Sequence, residues 1–370
     1  MKILFICGTL EAGKDGVGDY TSRLAKEITQ LGQETKIISI HDKYIHGIID
    51  NIFLDGNNKI SVTRISNRIP AYRFKNILSK KILAFDPDWI SIQYVPFSFH
   101  NKGLPFFVHQ VLHTVLKSRK IHIMFHELWI GSYGSVSVLN KIIGSIQKLM
   151  IQSFLNDLNP AIITTTNEVY KRKLLPFNAL NLPLFGNIPI SKKNNSKNKD
   201  KKNLDVVVFG NMTTNYNDFF AQVSWLVKLG AKFKQNVKMH FLGNIRNLSS
   251  DIIHTLNRLL GVNNVIQVGS ISATELSDYL SSMDFGISKA DAIFFYKSGS
   301  TIAILEHGLP VLLRGERPLN FSPLYFEDYT KQLFFVSDNV PEALPILIPH
   351  SNIHEITEQY LTLLSMYDHL

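Results

Sequence analysis

A chain of 370 residues with 45% hydrophobic and 19% charged residues can bury a sizeable core, which excludes a disordered protein and calls for two domains. The formal charge of +9 fits nucleic acid, an anionic membrane surface or an anionic small substrate. Much of the excess lies in residues 192–202 (KKNNSKNKDKK), a solvated linker composition, and no base-stacking aromatics, zinc-finger or RNP-like motif accompany it, so nucleic acid is not an expected partner. The single cysteine, Cys7, excludes an internal disulfide and a cysteine-based metal site and fits a reducing compartment.

The N-terminal apolar run is only about seven residues long before Glu11 and Lys14 interrupt it, too short for a signal segment, and it reads as a buried strand over residues 2–8. Residues 17–31 follow as a helix, with Val17, Tyr20, Leu24, Ile28 and Leu31 on one face, then a strand at 35–40. Further strands are expected at 89–95, 121–125 and 161–165, with helices around 104–118 and 136–156. After the lysine stretch the grammar restarts. Strands are expected at 205–209, 238–242, 265–268, 285–288 and 310–313, alternating with helices at about 217–230, 249–260, 272–283 and 299–307. Ser272 to Glu275 has the spacing of a capping box. No run of about 18 apolar residues occurs, so no membrane-spanning helix is expected.

The economical architecture is α/β: two Rossmann-like, doubly wound domains facing a central cleft, with ligand contacts at strand C-termini. Residues 1–190 form the N-terminal domain, 191–203 a lysine-rich hinge and 204–350 the C-terminal domain. Residues 351–370 form a helix that can pack back on the first domain.

Several segments carry chemistry. Gly8-Thr9-Leu10-Glu11-Ala12-Gly13-Lys14-Asp15-Gly16-Val17-Gly18 is a glycine-rich turn before a helix, where Gly16 and Gly18 allow close approach of an anion. It is neither a dinucleotide fingerprint, since Thr21 stands at the third glycine position, nor a P-loop, since Asp15 follows Lys14. His126-Glu127 ends a strand, where the histidine can donate a hydrogen bond to a sugar hydroxyl; Ile130 excludes a zinc-binding H-E-x-x-H helix. Asp86-Pro87-Asp88 precedes a strand and reads as a turn rather than a metal-binding pair. Lys297-Ser298-Gly299-Ser300-Thr301 opens a helix with free amides and a cation suited to a phosphate. Glu306, two turns on, is in reach of ribose hydroxyls, and Gly308 and Pro310 close the helix. Tyr72 to Phe85 (YRFKNILSKKILAF) is a cationic amphipathic helix of a type that can lie on an anionic membrane.

These segments resemble the GT-B glycosyltransferases of family 4. The resemblance rests on Gly16-Val17-Gly18-Asp19-Tyr20 with Arg23-Leu24-Ala25, on Asp86-Pro87-Asp88, on His126 and on Phe185-Gly186-Asn187-Ile188-Pro189. In the second half it rests on Val268-Gly269, Thr274-Glu275-Leu276 and Asp284, and most specifically on Leu305-Glu306-His307-Gly308-Leu309-Pro310-Val311. It implies retaining transfer of a hexose from a nucleotide-sugar, UDP favoured, to a glycan or lipid-linked acceptor in polysaccharide or glycolipid synthesis. No metal and no cofactor take part, and the setting is the cytoplasm or the inner membrane face. His126 and Lys297 then serve catalysis; Gly16, Gly18, Gly210, Asn211, Ser298, Gly299, Ser300, Thr301 and Glu306 bind the donor; Asp19, Tyr20 and Glu127 line the acceptor side. Two departures stand out. Ser298 occupies the place of the first glutamate of the family's E-x7-E motif, and Asn211 that of the arginine which neutralises the donor diphosphate. They leave a second reading open, a degenerate GT-B protein that binds a nucleotide-sugar or partner enzyme without turnover. A third keeps the fold with another reaction, such as epimerisation.

Overall fold

The computed structural model describes residues 1–55, 58–134, 136–191, 202–210, 216–243, 248–318 and 327–368. The chain divides into two compact units, one comprising Met1–Pro183 with Ile353–Leu370 and the other Leu184–Asn352. Residues 192–201, most of the expected hinge, lie outside the described residues.

The first unit opens with β1 (Lys2–Cys7), α1 (Gly16–Gln30), β2 (Glu34–Asp42), β3 (Ile48–Asp55) and β4 (Asn58–Ser66). Then come α2 (Ala71–Phe85), β5 (Trp89–Tyr94), the short α3 (Pro96–Phe99), α4 (Phe106–Leu116), β6 (Lys120–Phe125) and α5 (Val138–Leu158). β7 (Ile162–Thr165), α6 (Glu168–Lys173) and β8 (Leu180–Asn181) complete the sheet, whose order is β3-β4-β2-β1-β5-β6-β7-β8. All pairs are parallel except β3 with β4. Every residue of β5 is buried, as a central strand covered on both faces requires. The β3–β4 hairpin is absent from the expected elements; its signal was the Asp55-Gly56 pair between two strand-like runs.

The second unit runs β9 (Asn203–Phe209), α7 (Tyr216–Phe233), β10 (Asn236–Leu242), α8 (Ser250–Leu260), β11 (Val265–Gly269), α9 (Ala273–Ser282) and β12 (Phe285–Asp291). It ends with α10 (Gly299–Glu306), β13 (Val311–Arg314) and β14 (Leu333–Phe335), and its sheet is parallel in the order β11-β10-β9-β12-β13-β14. The capping box forms: Ser272 Oγ accepts from the Glu275 amide while the Glu275 carboxylate accepts from the Ser272 amide. This unit begins at Leu184, earlier than the expected boundary at 190. The reason is packing. Phe185 and Ile188 are buried, and Gly186 lies so close on α10 that a Cβ there would come within 2.7 Å of the Ala303 Cα.

The last helix, α11 (Ile353–Met366), belongs to the first unit, where it packs on α1. Its buried Tyr360 meets the rings of Phe5 and His122, and beyond the helix Asp368 accepts from Trp89 Nε1 at 2.7 Å. Among the described residues no helix is long and apolar enough to cross a membrane.

The turn after β1 is held by charge. The Asp42 carboxylate is fully buried and accepts from Arg64 Nε at 2.7 Å, while Arg64 also donates to Glu11 at 2.8 Å and Asp42 receives the Leu10 amide. Burial opposes ionisation of Asp42, but the Arg64 bond and charge, with the Tyr44 amide and Thr9 hydroxyl, together outweigh it and hold the carboxyl below the usual range. Arg64→Met strands that carboxylate, and the expected loss is about 3–5 kcal/mol, read as a lowered urea midpoint of the first unit near pH 7. A carboxyl whose pKa is depressed by folding stabilises only above its unfolded pKa. The gap between wild type and variant is therefore expected to narrow as pH falls below about 4. An unchanged midpoint at neutral pH contradicts this reading.

Candidate functional site

In the first unit the glycine-rich turn is filled from within. Asp15 is the N-cap of α1, its carboxylate accepting from the Val17 amide at 2.9 Å, and Asp19 accepts from the Gly13 amide at 3.1 Å. Burial raises both carboxyls above their ordinary values, partly offset by these amides. The α1 start thus already holds an acidic group, which corrects the expectation that Gly16 and Gly18 cradle an anion. Gly18 is required for packing instead: a Cβ there would meet the Thr9 carbonyl oxygen at 2.4 Å. Gly16 faces open space. Asp86 and Asp88 lie at the N-terminal edge of the sheet, where Asp86 pairs with Arg119 at 2.7 Å and Asp88 accepts from the Lys2 amide at 2.7 Å.

His126 follows β6 and is buried, at the end of a hydrogen-bonded chain crossing three strands. Gln93 Nε2 donates to Ser91 Oγ at 2.8 Å, which turns its Oε1 toward His126 Nε2, also at 2.8 Å. Ser91 in turn meets His122 Nδ1, and His122 Nε2 meets Thr164 Oγ1, each at 2.8 Å. An amide oxygen only accepts, so the proton of His126 sits on Nε2 and Nδ1 keeps its lone pair. This corrects the donor role expected for His126: its N–H is committed to Gln93, and only an acceptor remains for a ligand hydroxyl. Burial pushes His122 and His126 down to about 3, so neither is a base of useful strength near neutrality. Tyr20 is likewise not an open acceptor contact. Its ring packs edge-on against His126 at 5.0 Å, its hydroxyl meets Met124 Sδ at 3.4 Å, and it is buried. Glu127, next in the chain, is exposed.

In the second unit three neighbouring strands finish on left-handed glycines, Gly210 after β9, Gly243 after β10 and Gly269 at the end of β11. A Cβ on Gly210 would lie 3.4 Å from Ser300 Oγ, which puts the β9 end against the start of α10. There Ser298 caps the helix, accepting from the Thr301 amide at 3.3 Å and from Thr301 Oγ1 at 2.8 Å, and Thr301 Oγ1 reaches Ser288 on β12. Among the described residues the amides of Gly299 and Ser300 have no partner, and this turn is half-buried rather than sealed. Lys297 precedes it, its ammonium 5.2 Å from the centroid of the Phe294 ring. Lys289, a residue the sequence reading passed over, is exposed at the far end of β12. Burial and the charge of Lys297 push its ammonium below the ordinary value, so the two cations feel each other electrostatically. Asn187 is a second addition: its amide donates to the Gly299 carbonyl, and its side-chain oxygen is buried without a partner among the described residues. Asn211 lies outside the described residues.

Glu306 does not belong to this group. It is 1% exposed; its carboxylate accepts from the Asn352 amide at 3.1 Å and from Ser351 Oγ at 3.5 Å. Seven residues separate it from Gly299, about 10 Å along the helix axis, and its side chain ties the 350–352 segment to α10. The expected ribose contact is corrected to a structural one. Among the described residues no three His, Cys, Asp or Glu side chains gather in a way that could hold a metal ion.

No family model and no curated protein matches this sequence. Solved structures do. A sucrose-phosphate synthase from Thermosynechococcus elongatus is similar over 99% of this chain and 90% of its own, with a TM-score of 0.57 at 13% identity. The catalytic domain of starch synthase IV from Arabidopsis thaliana, bound to ADP and acarbose, is similar over 100% of both chains, with a TM-score of 0.59 at 10% identity. A UDP-GlcNAc 2-epimerase from Methanocaldococcus jannaschii is similar over 99% of this chain and 100% of its own, at 0.54 and 10%. At such identities the likeness is one of fold, two Rossmann-like domains of the GT-B kind.

The histidine chain gives a checkable outcome. The nitrogen-15 shifts of the His126 ring are expected to report a neutral, Nε2-protonated imidazole from pH 8 down to about pH 4. Below about pH 6.5 the unfolded chain takes up protons that folded His122 and His126 refuse, so the first unit loses stability as pH falls toward 3. A His126 titration centred near pH 6.5 contradicts the arrangement.

Proposed function

We propose that this chain is a glycosyltransferase that moves a hexose from a nucleotide-sugar, with UDP the favoured nucleotide, to a glycan or lipid-linked acceptor. One observation carries the reading: the amides of Gly299 and Ser300 at the start of α10, without a partner among the described residues, beside Gly210 and directly after Lys297, whose charge Lys289 feels. Amides at a helix start and two cations suit a diphosphate, which needs donors and positive charge and no shaped apolar pocket. The similar structures support it, since the starch synthase is bound to ADP and the epimerase is one of UDP-GlcNAc.

In the proposed reaction the acceptor oxygen forms its bond to the anomeric carbon as the bond from that carbon to the diphosphate oxygen breaks. The acceptor proton passes to the leaving phosphate oxygen, so no enzymatic nucleophile is required, and we assign retention of configuration and metal independence to this scheme. Negative charge develops on the leaving diphosphate. We assign the Gly299 and Ser300 amides and the two lysines to that charge, and donors placed at a developing charge are typically worth about 3–4 kcal/mol each in the transition state. Lys297 is the proposed catalytic cation. His126, with only Nδ1 available, is assigned to accept from a sugar hydroxyl, and the first unit to hold the acceptor. Lys289 takes over the duty left open by the missing arginine at Asn211.

The alternative, nucleotide-sugar binding without turnover, is favoured by Ser298, whose hydroxyl caps α10 where the family carries a carboxylate. The two readings part on turnover. With purified protein, UDP is expected to bind at least tenfold more tightly than uridine. Lys297→Gln and Lys289→Gln are each expected to weaken UDP by about tenfold to a hundredfold, with little effect on uridine. Slow hydrolysis of one nucleotide-sugar, unchanged by EDTA, supports transfer; binding with no turnover of any UDP-, GDP- or ADP-sugar supports the alternative. No preference for UDP over uridine defeats both.

A further inference from the structure

Helices α2, α4 and α5 form one layer on the first unit's sheet. Phe74 of α2 meets Phe107 of α4 with ring centroids 6.0 Å apart, and His109 of α4 stacks on Phe154 of α5 at 4.0 Å. Each helix turns an apolar face inward, in α5 the side bearing Gly144, Met150, Ile151, Phe154 and Leu155. The outer side of α5 is apolar as well. Val138 is 74% exposed, Leu139 and Leu149 67%, Ile142 55% and Ile146 40%. At helical spacing these five fall within an arc of about 100° facing away from the sheet. A helix apolar on both sides in a folded chain calls for something to cover the outer one.

The charges say what covers it. Lys141 and Lys148 flank the stripe on one side, and α2 adds Arg73, Lys75 and Lys80, its fourth cation, Lys81, being paired with Asp50 of β3 at 2.6 Å. Against these five cations the three helices carry a single acid, Asp157, in the last turn of α5. The cores of protein interfaces are depleted in lysine, whereas apolar stripes bordered by lysine and arginine are what an anionic bilayer takes up. Exposed aromatics sit at the same end of the layer: Tyr72 starts α2, Phe106 and Phe107 start α4, and Tyr133 precedes α5. Those helix starts all follow the C-terminal ends of parallel strands, the edge of the sheet to which His126 also belongs.

We propose that the outer face of α5, with the starts of α2 and α4, lies on an anionic membrane surface. The stripe enters the boundary between headgroups and acyl chains, and the lysines and arginine stay among the phosphates. A lipid-linked acceptor would then be met at the plane in which it resides. The surface itself stands independently of the proposed transferase reaction, because vesicle binding needs no donor.

The full chain is tested by flotation with vesicles of phosphatidylcholine alone, or of phosphatidylcholine with about one third phosphatidylglycerol, at low and high salt. Binding is expected only to the anionic vesicles and is expected to weaken at high salt. The pairs Leu139→Ser with Leu149→Ser, and Lys141→Gln with Lys148→Gln, are each expected to lower the partition coefficient by about tenfold or more. All four side chains are exposed, so the melting temperature and UDP binding are expected to stay as in the wild type. The proposal is overturned by no flotation, by equal flotation with neutral vesicles, or by variants that float like the wild type. It is equally overturned if light scattering shows a self-association that the same substitutions abolish while vesicle binding is absent. Failure to bind UDP bears on the transferase reading alone.

Discussion

Parallel strands buried on both faces can meet a ligand only at their ends, and the functional account rests on how the second unit uses this constraint. β9, β10 and β11 each end on a left-handed glycine, which keeps those three positions free of a Cβ. α10 starts against the first of these glycines with two amides unpartnered among the described residues, and Ser288 of β12 holds that start in place through the Ser288–Thr301–Ser298 hydroxyl chain. Amides at a helix start that no protein group among the described residues caps are suited to a bound anion. Lys297 and Lys289 add the charge that a diphosphate needs and that amides alone supply only in part.

The first unit solves a different problem. Its glycine turn is stabilised by its own acids, Asp15 at the helix start and Asp42 clasped by Arg64, which makes that edge poor ground for a second anion. Its polar interior instead forms a line from His126 to Thr164: His126 donates to Gln93 and Gln93 to Ser91, and His122 links Ser91 to Thr164. Such a line fixes the histidine's tautomer, and burial lowers its basicity. The chemistry suits holding a neutral sugar, where orientation counts and proton abstraction does not.

Most of the fold was legible in the sequence because it rests on local periodicity. The continuous apolar run of β5, the single face of α1 and the capping box at Ser272 to Glu275 are set by residues close in the chain, and the structure forms all three. The β3–β4 hairpin was missed because β3 is an edge strand with Ile48, Ile49, Ile52 and Phe53 exposed, so it lacks the one-sided burial that produces an alternating pattern. In the site, the α10 start could be read from Ser298 to Thr301 because caps follow residue type. Glu306 was misread because its partners, Ser351 and Asn352, lie about 45 residues away and no spacing reveals them. Lys289 was overlooked for the same reason, since only the fold brings it near Lys297. The gap in the charge pattern of α2, α4 and α5 was visible only for α2, because the outer face of α5 cannot be told from its inner face until the sheet is in place.

The central claim is that the helix start at Gly299 and Ser300 grips a diphosphate. A crystal structure with UDP or an unreactive UDP-sugar tests it most directly. The account requires diphosphate oxygens within about 3.2 Å of the Gly299 and Ser300 amides, with Lys297 or Lys289 at the same group. A diphosphate seated elsewhere, with those amides facing water alone, contradicts it.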